Sequence, residues 1–152
     1  MPPVSARLAE LGIELPPVVA PVAAYLPAVR TGSLVYTSGQ VPMVGGALPA
    51  VGKVGAEVSP DEAVGYARTC ALNALAAVHA LVGIDSVVRV VKVVGFVASA
   101  PGFTGQPGVV NGASELLGQV FGEAGRHARS AVGVAELPMN APVEVELIVE
   151  VA

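Results

Sequence analysis

Tryptophan is absent, cysteine occurs once, and aromatic residues make up only 4% of the 152 positions. The lone thiol, Cys70, has no partner for an intrachain disulfide, and no Cys-x-x-Cys pair offers a zinc site. Charge is scarce as well. Asp, Glu, Lys and Arg together account for 13% of residues, against a usual share of roughly 25%. With 53% hydrophobic residues, the chain does not fit intrinsic disorder, which goes with low hydrophobicity and high net charge. Eight basic and twelve acidic side chains leave a net charge of −4. No Lys/Arg stretch supplies the basic footprint that nucleic acid requires. Unbroken apolar runs are also missing. Leu15–Val29 carries Pro16, Pro17, Pro21 and Pro27, and Thr31–Gly52 holds Thr37, Ser38, Gln40 and several glycines. Thr69–Ile84 contains Asn73 and His79 and is shorter than the roughly 20 residues of a membrane span. Met1-Pro2-Pro3 leads to Arg7 and Glu10, without the basic-then-apolar pattern of a leader, and the single cysteine makes a cytoplasmic protein the expectation. No P-loop, GxSxG or GxGxxG motif occurs. His79 and His127 lack Cys, Asp or Glu in ligand spacing, so no metal and no cofactor are expected.

A length of 152 residues fits one domain. The shortage of surface charge suggests that apolar surface is covered by a partner, most simply another copy of the chain. Ser5–Leu11 reads as a short helix ended by Gly12. Leu15–Pro27 is punctuated by proline and reads as extended. Val29–Gln40 reads as two short strands about a turn at Thr31-Gly32-Ser33, followed by a glycine-rich loop over Met43–Val58. Ser59-Pro60-Asp61-Glu62 carries a capping box, with Ser59 at the cap and Pro60 in the first helical position. Ala63, Ala67, Cys70, Ala74, Val78 and Leu81 then recur at helical spacing up to Gly83. Ser86–Ser99 is a valine-dense strand. Its polar breaks at Arg89 and Lys92 are three apart, which points to a bulge, assigned to Gly95. Ala100–Gly108 is rich in turn residues. Val109–Ala124 reads as a second helix, with Ala113, Leu116, Leu117, Val120 and Phe121 inward. Arg129–Leu137 and Val143–Val151 read as strands. The order β-β-α-β-α-β-β implies crossover connections and at least one parallel pair. The expected fold is α/β (α+β), a two-layer sandwich with a mixed sheet and two helices on one face.

Few residues are candidates for chemistry. Glu144, Glu146 and Glu150 lie on the strand face opposite Val143, Val145, Leu147, Val149 and Val151. The valine face should meet the helices, which leaves the glutamates on the open face. That pattern fits a solvated surface as readily as a general acid or base. Arg129 fits a surface ion pair or an anion clamp, because guanidinium grips carboxylate through two parallel hydrogen bonds. His127 titrates near neutrality when unperturbed. His79 reads as a packed or half-exposed helix residue, and Cys70 as a small core residue.

Three segments carry a family resemblance. They are Tyr25–Pro42 (YLPAVRTGSLVYTSGQVP), Asn111 within the second helix, and Ala128–Leu147, which holds ARSAVGVAELP and then VEVEL. Ser38-Gly39-Gln40-Val41-Pro42 matches one signature and Arg129–Pro138 another. Together they resemble the Rid/YjgF family of reactive-intermediate deaminases, also known as endoribonuclease L-PSP. The resemblance implies a chorismate-mutase-like fold and a homotrimer with clefts between subunits. In its deaminases the motif arginine, here Arg129, grips the carboxylate of a 2-imino acid. The water-activating glutamate falls at Glu144. Tyr25, Ser38, Gly39 and Asn111 match other cleft-lining positions. Ala131 stands where these deaminases usually carry cysteine. The similarity runs from about Tyr25 onward, so residues 1–24 read as an N-terminal extension of a single 1–152 domain, and the Val87–Phe103 segment reads as longer than usual.

The expected activity is therefore hydrolysis of enamines or imines to 2-oxo acids and ammonia. Two alternatives remain: a non-catalytic or biosynthetic-accessory trimer that binds small carboxylates, and a ribonuclease. The charge of −4 speaks against the latter, and against any nucleic-acid partner. The resemblance also implies a strand order. Val143–Val151 should insert between the first hairpin and Val87–Val97, with the Arg129 strand beyond, rather than forming a hairpin across Pro138–Pro142.

Overall fold

The computed structural model describes residues 2–21 and 23–152. In chain order the elements are α1 (Val4–Glu10), β1 (Ala28–Thr31), β2 (Leu34–Thr37), α2 (Pro60–Val82), β3 (Val87–Ala98), α3 (Gln106–Phe121), β4 (Ala128–Val134) and β5 (Val143–Val151). Short 3₁₀ turns at Ile84–Ser86, Gly122–Gly125 and Pro138–Asn140 join them.

The sheet runs β1-β2-β5-β3-β4. All neighbours are antiparallel except β3 and β4, which the α3 crossover makes parallel. The last strand is thus inserted at the centre, and β4 and β5 do not pair. Strict alternation along β5 explains the choice. Val143, Val145, Leu147, Val149 and Val151 are all buried against the helices, at 0–2% exposure, and the residues between them are half-buried. Full burial of such a side chain contributes roughly 1.5–3 kcal/mol, so a central position uses the strand better than an edge does. Thr37 strengthens the junction, because its buried hydroxyl accepts the Leu147 N–H at 2.9 Å.

The helical layer is α2 and α3. The capping box at the start of α2 is formed in both directions: Glu62 N–H donates to Ser59 Oγ at 3.1 Å, and Ser59 N–H to Glu62 Oε1 at 3.4 Å. Ala63, Ala67, Cys70, Ala74 and Val78 are fully buried. Leu81, expected inward, is 46% exposed. His79, Ala80 and Leu81 are all exposed, so the last turn of α2 overhangs the packed layer. His79 Nδ1 closes that end by accepting the Ile84 N–H at 3.0 Å. On α3 the five residues expected inward are all buried. This helix begins at Gln106 rather than Val109, since Pro107 is tolerated in a first turn and Gln106 Nε2 folds back onto the Phe103 carbonyl at 2.8 Å. It ends at Phe121, and Gly122, in the left-handed region at φ 62°, diverts the chain into the 3₁₀ turn.

Two strand details depart from expectation. The irregularity of β3 lies not at Gly95 but between Val87 and Arg89 and between Val90 and Lys92. Val88 and Val91 are the extra residues, and both are exposed. They account for the three-residue spacing of Arg89 and Lys92. Gly95 serves close packing instead: a Cβ there would fall 2.5 Å from a Val110 methyl. Strand β4 stops at Val134 rather than Leu137, because its partner β3 ends at Ala98, opposite Val134.

The N-terminal segment joins the same core. Leu8 of α1 is buried in it. The backbone N–H and hydroxyl of Ser5 both donate to the Asp85 carboxylate, at 2.7 Å each. Those bonds hold the Asp85 carboxyl below the usual aspartate range. No helix among the described residues is long and apolar enough to cross a membrane.

Candidate functional site

The site residues fall into two groups on opposite faces of the sheet. The first gathers at Glu144, near the start of β5. Glu144 pairs across the ladder with Phe96 of β3 and points away from the helices. Tyr25, Ser38, Gly39 and Glu144 line one open depression. Local bonds build it. Ser38 follows β2 directly, and its hydroxyl donates to the Leu26 carbonyl at 2.6 Å, holding the Tyr25 loop over the strand end. Gln40 exchanges backbone bonds with Val145 at 2.9 and 3.0 Å, which carries the β2 edge alongside β5. Gly39 lies between these contacts. A Cβ there would overlap Glu144 Oε2 and lie 2.7 Å from Cδ, so the signature glycine is the space into which the carboxylate fits. Burial pushes the Glu144 carboxyl above the usual glutamate range, and the like charge of Glu146 adds to the shift.

Beside Glu144 lies a pocket of about 310 Å³, walled by Val19–Pro21, Met43, Met139 and Pro138. None of these wall residues was singled out from the sequence. Asn73, buried on α2, fixes one wall by donating through Nδ2 to the Val41 and Met43 carbonyls at 3.1 Å each. Met139 of the pocket wall and its neighbour Asn140 both have φ of 59°, a conformation costly for non-glycine residues.

The second group gathers at Arg129 on the edge strand β4. Arg129 pairs with Val93, which is fully buried under the helices, so Arg129 lies on the helical side of the sheet. Its Nη1 donates to Asn111 Oδ1 at 2.7 Å and to Ser114 Oγ at 3.2 Å, and its Nη2 to the Pro107 carbonyl at 3.4 Å. All three acceptors are neutral and belong to α3. Among the described residues no carboxylate pairs with Arg129. Three bonds leave at least two of the five guanidinium N–H groups unused among the described residues, Nε–H among them. Ala131, two residues on, lies on the same side of the strand, packed at the margin of the core.

Arg129 and Glu144 therefore do not meet within one chain. From the strand spacing and register their backbones are roughly 14 Å apart, with the sheet between their side chains. Cys70 is buried, as expected, and burial pushes its thiol pKa well up. No group of three His, Cys, Asp or Glu residues fit to hold a metal is present among the described residues.

Comparison with known proteins completes the picture. Residues 5–151 match the family model described as "YjgF/chorismate_mutase-like, putative endoribonuclease". Protein TCP17 of Trypanosoma cruzi is 48% identical over 97% of this chain and 93% of its own. The crystal structure of Atu1372 from Agrobacterium tumefaciens superposes with a TM-score of 0.90 at 46% identity, covering 98% of this chain and 92% of its own. That of E. coli TdcF with bound serine gives a TM-score of 0.61 at 26% identity over 91% and 93%. The motif match, the strand order with its inserted last strand and these similarities agree, and the chain belongs to the YjgF/chorismate-mutase-like family.

Proposed function

We propose that the protein hydrolyses 2-imino acids to 2-oxo acids and ammonia, in clefts that form where Arg129 of one copy faces Glu144 of the next. The observation that carries this reading is the state of Arg129. Its guanidinium is held by neutral acceptors and keeps its Nε–H, and its whole charge, for an anion. Guanidinium and carboxylate match in charge and geometry. Serine, the ligand in the TdcF structure, carries a carboxylate of this kind.

Glu144 supplies the complementary chemistry. A carboxyl raised above its usual range is better matched to proton transfer near neutrality than an ordinary glutamate. Glu144 takes a proton from water as the water oxygen bonds to the imine carbon, and it gives that proton to the nitrogen as the C=N π pair moves there, which leaves a carbinolamine. Glu144 then carries the hydroxyl proton to nitrogen, the C–N bond breaks with its electron pair leaving on ammonia, and the C=O bond forms. Arg129 orients the substrate throughout. The apolar pocket wall at Val19–Pro21, Met43 and Met139 gives a hydrocarbon side chain room beside the reacting carbon.

Assembly of copies is part of the proposal. The open face of the sheet presents Tyr36, 43% exposed, and Val132, 44% exposed, with Phe96, Val94 and Ile148 half-buried between them. A homotrimer would cover that apolar belt. A second reading, carboxylate binding without turnover, is favoured by Ala131 in the position where deaminases of the resemblance carry cysteine. The test is turnover of 2-iminobutanoate beside binding of 2-oxobutanoate and digestion of RNA. Turnover with no RNA cleavage supports the deaminase. Binding alone supports the second reading, and RNA cleavage alone overturns both.

A further inference from the structure

Arg129 is not held by Asn111 alone. Ser114 follows Asn111 by three residues on α3, so the two share a face of the helix. Its hydroxyl oxygen has two partners, Arg129 Nη1 at 3.2 Å and His127 Nε2 at 2.9 Å. On the other side of the imidazole, Nδ1 lies 2.6 Å from the Gly125 carbonyl oxygen. A carbonyl can only accept, so Nδ1 carries the ring proton. In the neutral ring Nε2 is then an acceptor, and the Ser114 hydroxyl donates to it. With its hydrogen committed, the Ser114 oxygen has only lone pairs to turn towards Arg129, and it accepts the Nη1–H.

We propose that Ser114 and His127 are positioning residues for Arg129. The Gly125 carbonyl fixes the His127 tautomer, the tautomer fixes the Ser114 hydroxyl, and the hydroxyl holds the guanidinium in place with its charge and its unused Nε–H left for the ligand. The chain of bonds ties α3 to the start of β4 at the guanidinium itself. Without it, Asn111 is the one side-chain anchor left on a long, flexible arginine. The inference rests on the reading of Arg129 as the carboxylate grip.

The test compares wild type with Arg129→Ala, Ser114→Ala, His127→Asn and His127→Gln. Binding of 2-oxobutanoate is measured by calorimetry, turnover of 2-iminobutanoate by steady-state kinetics, and folding by thermal melting. Loss of one net hydrogen bond predicts a rise of roughly three- to tenfold in Kd and KM for Ser114→Ala and His127→Asn. The loss falls on KM rather than kcat, because neither residue touches the reacting atoms. His127→Asn can replace only the Nδ1 bond to Gly125 and leaves Ser114 without its acceptor. His127→Gln, one methylene longer, sets an amide oxygen where Nε2 stood and recovers most of the lost affinity. If Ser114→Ala and His127→Asn bind as wild type does while Arg129→Ala does not, the positioning role is overturned and the grip stands. If Arg129→Ala itself binds as wild type, the grip falls and this inference with it. Equal losses in both His127 variants, tracking a lowered melting temperature, would show a merely structural histidine and overturn the proposal.

Discussion

Gly39→Ala is a one-methyl perturbation with a consequence fixed by the structure. The added Cβ would overlap Glu144 Oε2 and stand 2.7 Å from Cδ and 3.0 Å from Cγ. Carbon atoms pack at about 3.5–4.0 Å, so the carboxyl must withdraw by roughly 1 Å. Gly39 does not lie in the left-handed region, and alanine adopts its backbone without strain. The atoms in the way are the end of a flexible side chain, so rotation of Glu144 is the cheap relief. An off-rotamer side chain costs about 0.5–1.5 kcal/mol, and the fold should survive with a melting temperature a few degrees lower. Catalysis should not. A displacement of roughly 1 Å at a reacting group costs on the order of a hundredfold in rate. Binding of 2-oxobutanoate, which depends on Arg129, should change little. The pH profile gives an independent check. Glu144 titrates high because it is buried beside Glu146, and a carboxyl swung into solvent titrates lower, so the acid limb of any residual activity should move to lower pH. The assay is 2-iminobutanoate turnover across pH, with calorimetry of 2-oxobutanoate. A Gly39→Ala protein with wild-type kcat would refute the reasoning.

Other outcomes follow from the same geometry. Arg129→Ala should lose about 1.5 to 3.5 decades in carboxylate affinity or rate, the cost of breaking a charge-assisted pair on the order of 2–5 kcal/mol. Arg129→Lys should be severely impaired as well, since ammonium lacks the fork; near-normal kinetics of Arg129→Lys would contradict that. The pKa of Glu144 is raised in the folded state, so its stabilising contribution is full below the unfolded value and is lost as pH rises through the folded one. Glu144→Gln should therefore melt above wild type at pH 8 and show no gain at pH 4; the reverse trend in a melting series would refute this. Asp85 is the opposite case: its lowered pKa gives stability present above the unfolded value and lost as pH falls through the folded one. Asp85→Asn at neutral pH, and acid in the wild type, should both free α1, seen as faster hydrogen exchange at residues 4–10 ahead of the remaining chain.

The parts of the fold that were legible in the sequence are those where one period rules. Ser59-Pro60-Asp61-Glu62 fixes the start of α2, and the valines of β5 fix its buried face. Periodicity is silent where tertiary contacts decide. It shows that β3 contains an irregularity, yet not that Val88 and Val91 are the extra residues, because that depends on the β5 register. It places Leu81 on the inward stripe of α2 and does not reveal that the packed layer ends before it. The same limit divides the site. The open-face position of Glu144 follows from alternation along β5. The side of the sheet taken by Arg129 follows only from the pairing of β4 with β3. Ser114 meets His127, thirteen residues later, only because the 3₁₀ turn at Gly122–Gly125 brings the chain back, and Val19–Pro21 reaches the pocket from a proline-punctuated segment with no period at all.

The central claim is that a working cleft takes Arg129 from one copy and Glu144 from another. Mixing two inactive variants, Arg129→Ala and Glu144→Gln, after joint unfolding and reassociation tests it most directly. Random assembly of trimers gives about three-quarters mixed species, each with one intact cleft in three, so about a quarter of wild-type turnover should return. A mixture no more active than its two parents, from variants that reassemble and wild type that turns over, would contradict the account.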